Sequence, residues 1–174
     1  MKYAGILVTI LISSYSFGNN NNSYLNESQP FLLIKDVNRQ AEAWGTCSAI
    51  YDVMAMLLTE SNPAQAKQYK DFGNGASIAV LMTHVSDGLK PDMSSEQFNS
   101  LWSLSKILSN SIPETKRTMI LADGEMLGKT GSEKFIEKVA TTAKICMENL
   151  EGQQIRIDAW RDLAKSGLLS MPNK

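Results

Sequence analysis

A single histidine, His84, is all the imidazole this chain of 174 residues offers. A histidine-based zinc site, a Ser–His–Asp triad or a Cys–His pair would each have to use that one ring. Only two cysteines occur, Cys47 and Cys146, and they form no C-x-x-C pair. Thiol-exchange chemistry and covalent c-type haem attachment are thereby excluded. Charge is nearly balanced, with Lys and Arg numbering 17 against 18 Asp and Glu. No basic run tracks a phosphate backbone, so nucleic acid is not an expected partner. Methionine is frequent at nine, yet no two lie three or four apart on one predicted helix, as a thioether copper site would need. No metal and no cofactor is expected.

What is present begins with an export signal. Met1-Lys2-Tyr3 precedes the apolar run Ala4–Ile12 and the small residues that end at Gly18. A cationic start, about 7–15 apolar residues and a small-residue cleavage site define a secretory signal. The run is short of the roughly 18–20 residues of a spanning helix, and no later stretch supplies one, so no permanent membrane span is expected. Residues 1–18 therefore read as a signal peptide, 19–29 as a flexible polar leader rich in asparagine, and 30–174 as one helical domain. Exported, periplasmic or secreted, is the expected location, taking the source to be bacterial.

From Pro30 onward the apolar spacing is helical. Val37, Ala41, Trp44, Ser48, Tyr51, Ala55 and Leu58 alternate by four and three, with Cys47 on the same face, which predicts an amphipathic helix over 36–60. Asn62-Pro63 ends it and opens the next helix, 64–89. Gly73-Asn74-Gly75 interrupts that second helix. Residues 77–85 are apolar enough for a buried strand, and a helix packed closely at the glycines is the preferred reading. Ser94 and Gln97 make a capping box for a third helix carrying Phe98, Leu101, Trp102, Leu104, Ile107 and Leu108, which Pro113 is expected to end. A fourth helix is predicted over 113–127. Ser132 is expected to cap the longest helix, 133–166, closed by Gly167. The fold class is all-α, a bundle of about five helices.

The two cysteines sit on apolar seams near mid-helix, and an oxidising compartment makes a Cys47–Cys146 disulfide the expected outcome. His84 has Asp87 three residues on, close enough on a helix to orient the ring. Glu125 is the candidate acid of a wall-hydrolysing alternative. Asn149 and Gln153 put polar groups on the seam of the last helix, which implies internal hydrogen bonds or a ligand groove. The expected function is binding to a protein partner in the periplasm or envelope, as an inhibitor, immunity-type protein or accessory subunit. The alternative is a small-ligand-binding or carboxylate-based hydrolytic bundle. Convergence of His84, Asp87, Glu125 and Gln153 on one pocket would favour that alternative; a flat apolar patch would favour the partner.

Overall fold

The computed structural model describes residues 22–27, 29–127 and 131–169; the expected signal peptide lies outside them. After a 3-10 turn, Phe31–Leu33, come α1 (Val37–Leu58), α2 (Pro63–Gly88), α3 (Ser95–Leu127), α4 (Ser132–Glu148) and α5 (Leu150–Lys165). Among the described residues there is no strand, and 77–85 is helix. Among the described residues the all-α bundle holds five α-helices, but two predicted boundaries are wrong in ways that cancel in the count.

The local signals work as chemistry says they should. The Asp36 carboxylate accepts from the Arg39 amide at 2.8 Å, and the Asn62 side chain accepts from the Gln65 amide at 3.2 Å. Ser94 and Gln97 cap each other reciprocally: the Ser94 amide donates to Gln97 Oε1 and the Gln97 amide to Ser94 Oγ. Gly167 takes a φ of +77° just past the end of α5, the left-handed turn that favours glycine. At α4 the expected cap is displaced by one residue: Gly131 holds the cap position and Ser132 is the first helical residue.

Pro113 does not end α3 but lies inside it, buried. Proline removes one helical donor, here the one that would serve the Ser109 carbonyl. Tertiary packing holds the helix together there. A Cβ placed on Gly45 of α1 would meet Ile112 Cγ2 at 2.5 Å and the Pro113 nitrogen at 3.5 Å. The bare glycine lets α3 press its proline turn directly against α1. The reverse happens at Asn149, where the predicted long helix breaks into α4 and α5. Its Oδ1 accepts from the Phe31 amide at 2.8 Å and its Nδ2 donates to the Ile145 carbonyl at 3.0 Å. A contact 118 residues away in sequence is what turns the chain.

α1 is the central element. From Ala43 to Tyr51 every residue is buried, so the helix is enclosed all round where a one-faced amphipathic helix was expected. Its Cys47 is joined to Cys146 of α4, 99 positions on in sequence, with the Cα atoms 5.5 Å apart. Both cysteines are 1% exposed. Closing a loop of that length stabilises the fold by about 4–5 kcal/mol in the chain-entropy model. Phe31 meets Trp44 edge-on at 4.8 Å on the same side of α1.

The part of the expected leader that is described is packed down. Leu25 is 6% exposed and Ser23 8%. The Tyr24 amide donates to Thr142 Oγ1 at 2.9 Å, and Tyr24 Oη donates to Asp123 at 2.6 Å. Lys138 pairs with the same Asp123 carboxylate at 3.0 Å and lies 4.1 Å over the Tyr24 ring. These contacts hold the Asp123 carboxyl below its ordinary range, the Tyr24 hydrogen bond foremost. A polar composition predicted flexibility; Leu25 and Tyr24 supply the burial that such a reading discounts.

Candidate functional site

The polar residues on the last predicted seam serve the interior. Gln153 of α5 is buried and its Nε2 donates to the Phe72 carbonyl of α2 at 3.3 Å. Gly75, one turn on, has no Cβ, and a Cβ there would run into the Gln153 amide and Ile157. The glycine interruption of α2 is thus the slot that receives Gln153. Thr142 is fully buried, accepts from the Tyr24 amide and donates to the Lys138 carbonyl at 2.7 Å. Asn149 fixes Phe31, and Arg156 donates to Gln40 Oε1 at 2.7 Å and Ser86 Oγ at 3.0 Å. Burial pushes the Arg156 guanidinium down.

His84 of α2 is half-buried, and its Nε2 is enclosed without a hydrogen-bond partner among the described residues. Burial lowers its pKa, and the exposed Asp87 raises it by a smaller amount. The neutral ring lines a cleft of about 270 Å³ with Asn38 and Glu42 of α1 and Leu108, Ser111, Ile112, Thr115 and Lys116 of α3. Lys116 Nζ and Glu42 bridge the cleft at 2.9 Å. The same two residues line a second cleft of about 300 Å³ that runs on to Tyr24–Glu27 and Arg39. Glu125 is exposed near the end of α3, about two and a half turns beyond Lys116 (α-helices turn every 3.6 residues). The His84 cleft therefore contains neither Asp87, Glu125 nor Gln153. The four residues do not share a pocket, and among the described residues no three His, Cys, Asp or Glu side chains form a set able to hold a metal.

On α3 large aliphatic side chains and small hydroxyls exchange their usual places. Leu104 is 56% and Ile107 63% exposed, whereas Ser105 is 1% and Ser109 8% exposed. Ser109 Oγ returns to the Lys106 carbonyl at 2.9 Å, while Ser105 Oγ has no partner among the described residues. Small serines let α3 approach its neighbours, and two large aliphatic side chains are left in water. Leu104, Leu108, Ser111 and Thr115 recur at four, three and four, one continuous helical stripe. That stripe leads from the exposed apolar pair directly into the His84 cleft. Sequence periodicity could not find it, because leucine and isoleucine on a helix are ordinarily assigned to the core.

Among the described residues no helix is long and apolar enough to cross a membrane. Comparison of the chain with protein-family models, with curated proteins and with solved structures finds no match.

Proposed function

We propose that this chain is an exported helical module that acts by binding a protein partner in the periplasm or envelope, as an inhibitor, immunity-type protein or accessory subunit. The observation that carries the reading is the α3 stripe, with Leu104 and Ile107 more than half exposed while Ser105 and Ser109 are buried. Apolar surface gathered along one helix face and continuous with a cleft is the kind of surface that interfaces cover. The cleft beside it, with the neutral His84, Leu108 and Ile112 on its walls and the Glu42–Lys116 pair across it, suits an apolar segment of the partner with polar groups at its edge. The dispersal of His84, Asp87, Glu125 and Gln153 removes the argument for a carboxylate-based hydrolase.

The test is co-purification from an envelope extract with the native chain and with Leu104→Asp/Ile107→Asp. The proposal expects a stoichiometric partner with the native chain and its loss with the variant, at unchanged thermal stability. Equal recovery by both chains, or no partner with either, would overturn it.

A further inference from the structure

A third cleft, on the other side of α3, has a different chemistry. It measures about 440 Å³ and lies where α1, α2 and α3 converge. Its floor is Val53, Ala55, Ala66 and Leu121, Met56 stands over it, and its rim carries Lys67, Lys70 and Arg117 against one carboxylate, Asp52. Thr115 of the partner stripe and Arg117 of this cleft are two residues apart, so they face away from each other on α3. The two surfaces are separate.

The rim cations are positioned but not used up. Lys70 neutralises Asp52 at 3.3 Å. Glu114 takes Nε and Nη2 of Arg117 at 3.1 and 2.9 Å, which orients the guanidinium plane and leaves its Nη1 edge available. Lys67 meets Asp71 at 3.3 Å with both groups exposed. Exposed pairs between neighbours on one helix contribute little, so an anion entering the cleft displaces little in exchanging them. Met56 stays 54% exposed above the floor, and its flexible thioether adapts to an apolar body of varied shape.

We propose that this cleft binds a small soluble amphipathic anion, a carboxylate or phosphate monoester on a short apolar body. Lys67 and Arg117 hold the anionic head, and Met56 and Leu121 cover the tail. The volume lies within the range of about 300–1,000 Å³ typical of small-molecule pockets. The head specifies charge sign and the floor specifies an apolar tail, so neither alone gives full affinity.

Calorimetric titration of the mature chain with decanoate below its micelle concentration tests this. Decyltrimethylammonium and inorganic phosphate serve as the charge-reversed and tail-less probes. One-site binding of decanoate is expected, weakened about tenfold or more by Lys67→Gln/Arg117→Gln and by added salt. Phosphate should bind at least about tenfold more weakly than decanoate, and the cation not at all. Leu104→Asp should leave decanoate binding unchanged, which separates this site from the partner stripe. Equal binding of the cationic probe, equal binding of phosphate, indifference to Lys67→Gln/Arg117→Gln, or no binding of decanoate would each overturn the proposal. So would association only with phosphatidylglycerol vesicles. Lys67 is exposed and Arg117 partly exposed, and circular dichroism checks that the variants fold.

Discussion

α1 and the first half of α3 are both rich in small and apolar residues, and the bundle treats them oppositely. Along α1, Ala43 to Tyr51 are enclosed without a break; the small hydroxyls find neighbours, while Trp44 Nε1 and Tyr51 Oη have no hydrogen-bond partner among the described residues. Ser48 Oγ donates to the Gly73 carbonyl at 3.0 Å, and Thr46 Oγ1 to the Glu42 carbonyl at 2.8 Å. Along α3, Leu104 and Ile107 face water and the unpartnered hydroxyl of Ser105 faces the core. Burying Ser105 and exposing Leu104 is the less stable choice for an isolated chain. Both helices hold unpartnered buried polar atoms, so the difference lies in the large apolar side chains. Between Ala43 and Tyr51 α1 buries its own in the fold, whereas α3 leaves Leu104 and Ile107 in water, a cost that makes sense if its outer face is covered in use.

The strongest way to break the α1 side is to remove its covalent link. Cys47→Ala/Cys146→Ala should lower unfolding free energy by about 4–5 kcal/mol, measured by denaturant titration of the oxidised native chain against the variant. A loss below about 1 kcal/mol would mean that α1 and α4 hold together without the staple. Next comes the α1–α3 contact. Gly45→Ala drives a methyl group into Ile112 beside Pro113 and should cost about 1–3 kcal/mol. Hydrogen exchange should show the loss of protection concentrated around Pro113.

The α3 side sharpens with a change of opposite sign. Ser105→Ala removes a buried hydroxyl that has no partner among the described residues, so it should be neutral or stabilise by up to about 1 kcal/mol. A clear destabilisation in thermal unfolding would show that the serine has a role inside the bundle. The smallest effect belongs to His84, which faces the α3 stripe. Burial lowers its folded pKa, with Asp87 opposing in part. The unfolded chain therefore binds more protons below about pH 6.5, the ordinary histidine value. Stability contributed by the neutral ring is present above that pH and falls as pH drops toward the lowered folded value. His84→Gln should flatten the dependence of melting temperature between pH 7 and 5, and Asp87→Asn should steepen it.

How much of this was legible depends on the range of the interactions. The caps at Asp36, Asn62 and Ser94 are local exchanges between residues three apart, and their positions could be read directly. The cysteine pairing was readable because the expected export and two apolar seams left few alternatives. The slot of Gly75 for Gln153 was foreshadowed by glycines that a helix tolerates only with close packing. Pro113 and Asn149 were not readable. Gly45, 68 residues before Pro113, and Phe31, 118 residues before Asn149, decide what each residue does. The binding residues expected at His84, Asp87, Glu125, Asn149 and Gln153 were chosen by chemistry alone. The structure commits Asn149 and Gln153 to internal links and gives only His84 a cleft lined with the α3 stripe. Leu104 and Ile107 carried no such mark, since an aliphatic residue gives no sign in sequence of being left exposed.

The central claim is that the α3 stripe is covered by a partner, and site-specific photo-crosslinking in the cell that makes the protein tests it most directly. A photoreactive residue at Ser103, exposed beside Leu104, is compared with one at Lys144, exposed on α4. The account predicts one discrete adduct from Ser103, none from Lys144, and loss of the Ser103 adduct when Leu104→Asp/Ile107→Asp is added. No adduct from Ser103, the same adducts from both positions, or an adduct that survives Leu104→Asp/Ile107→Asp would contradict it.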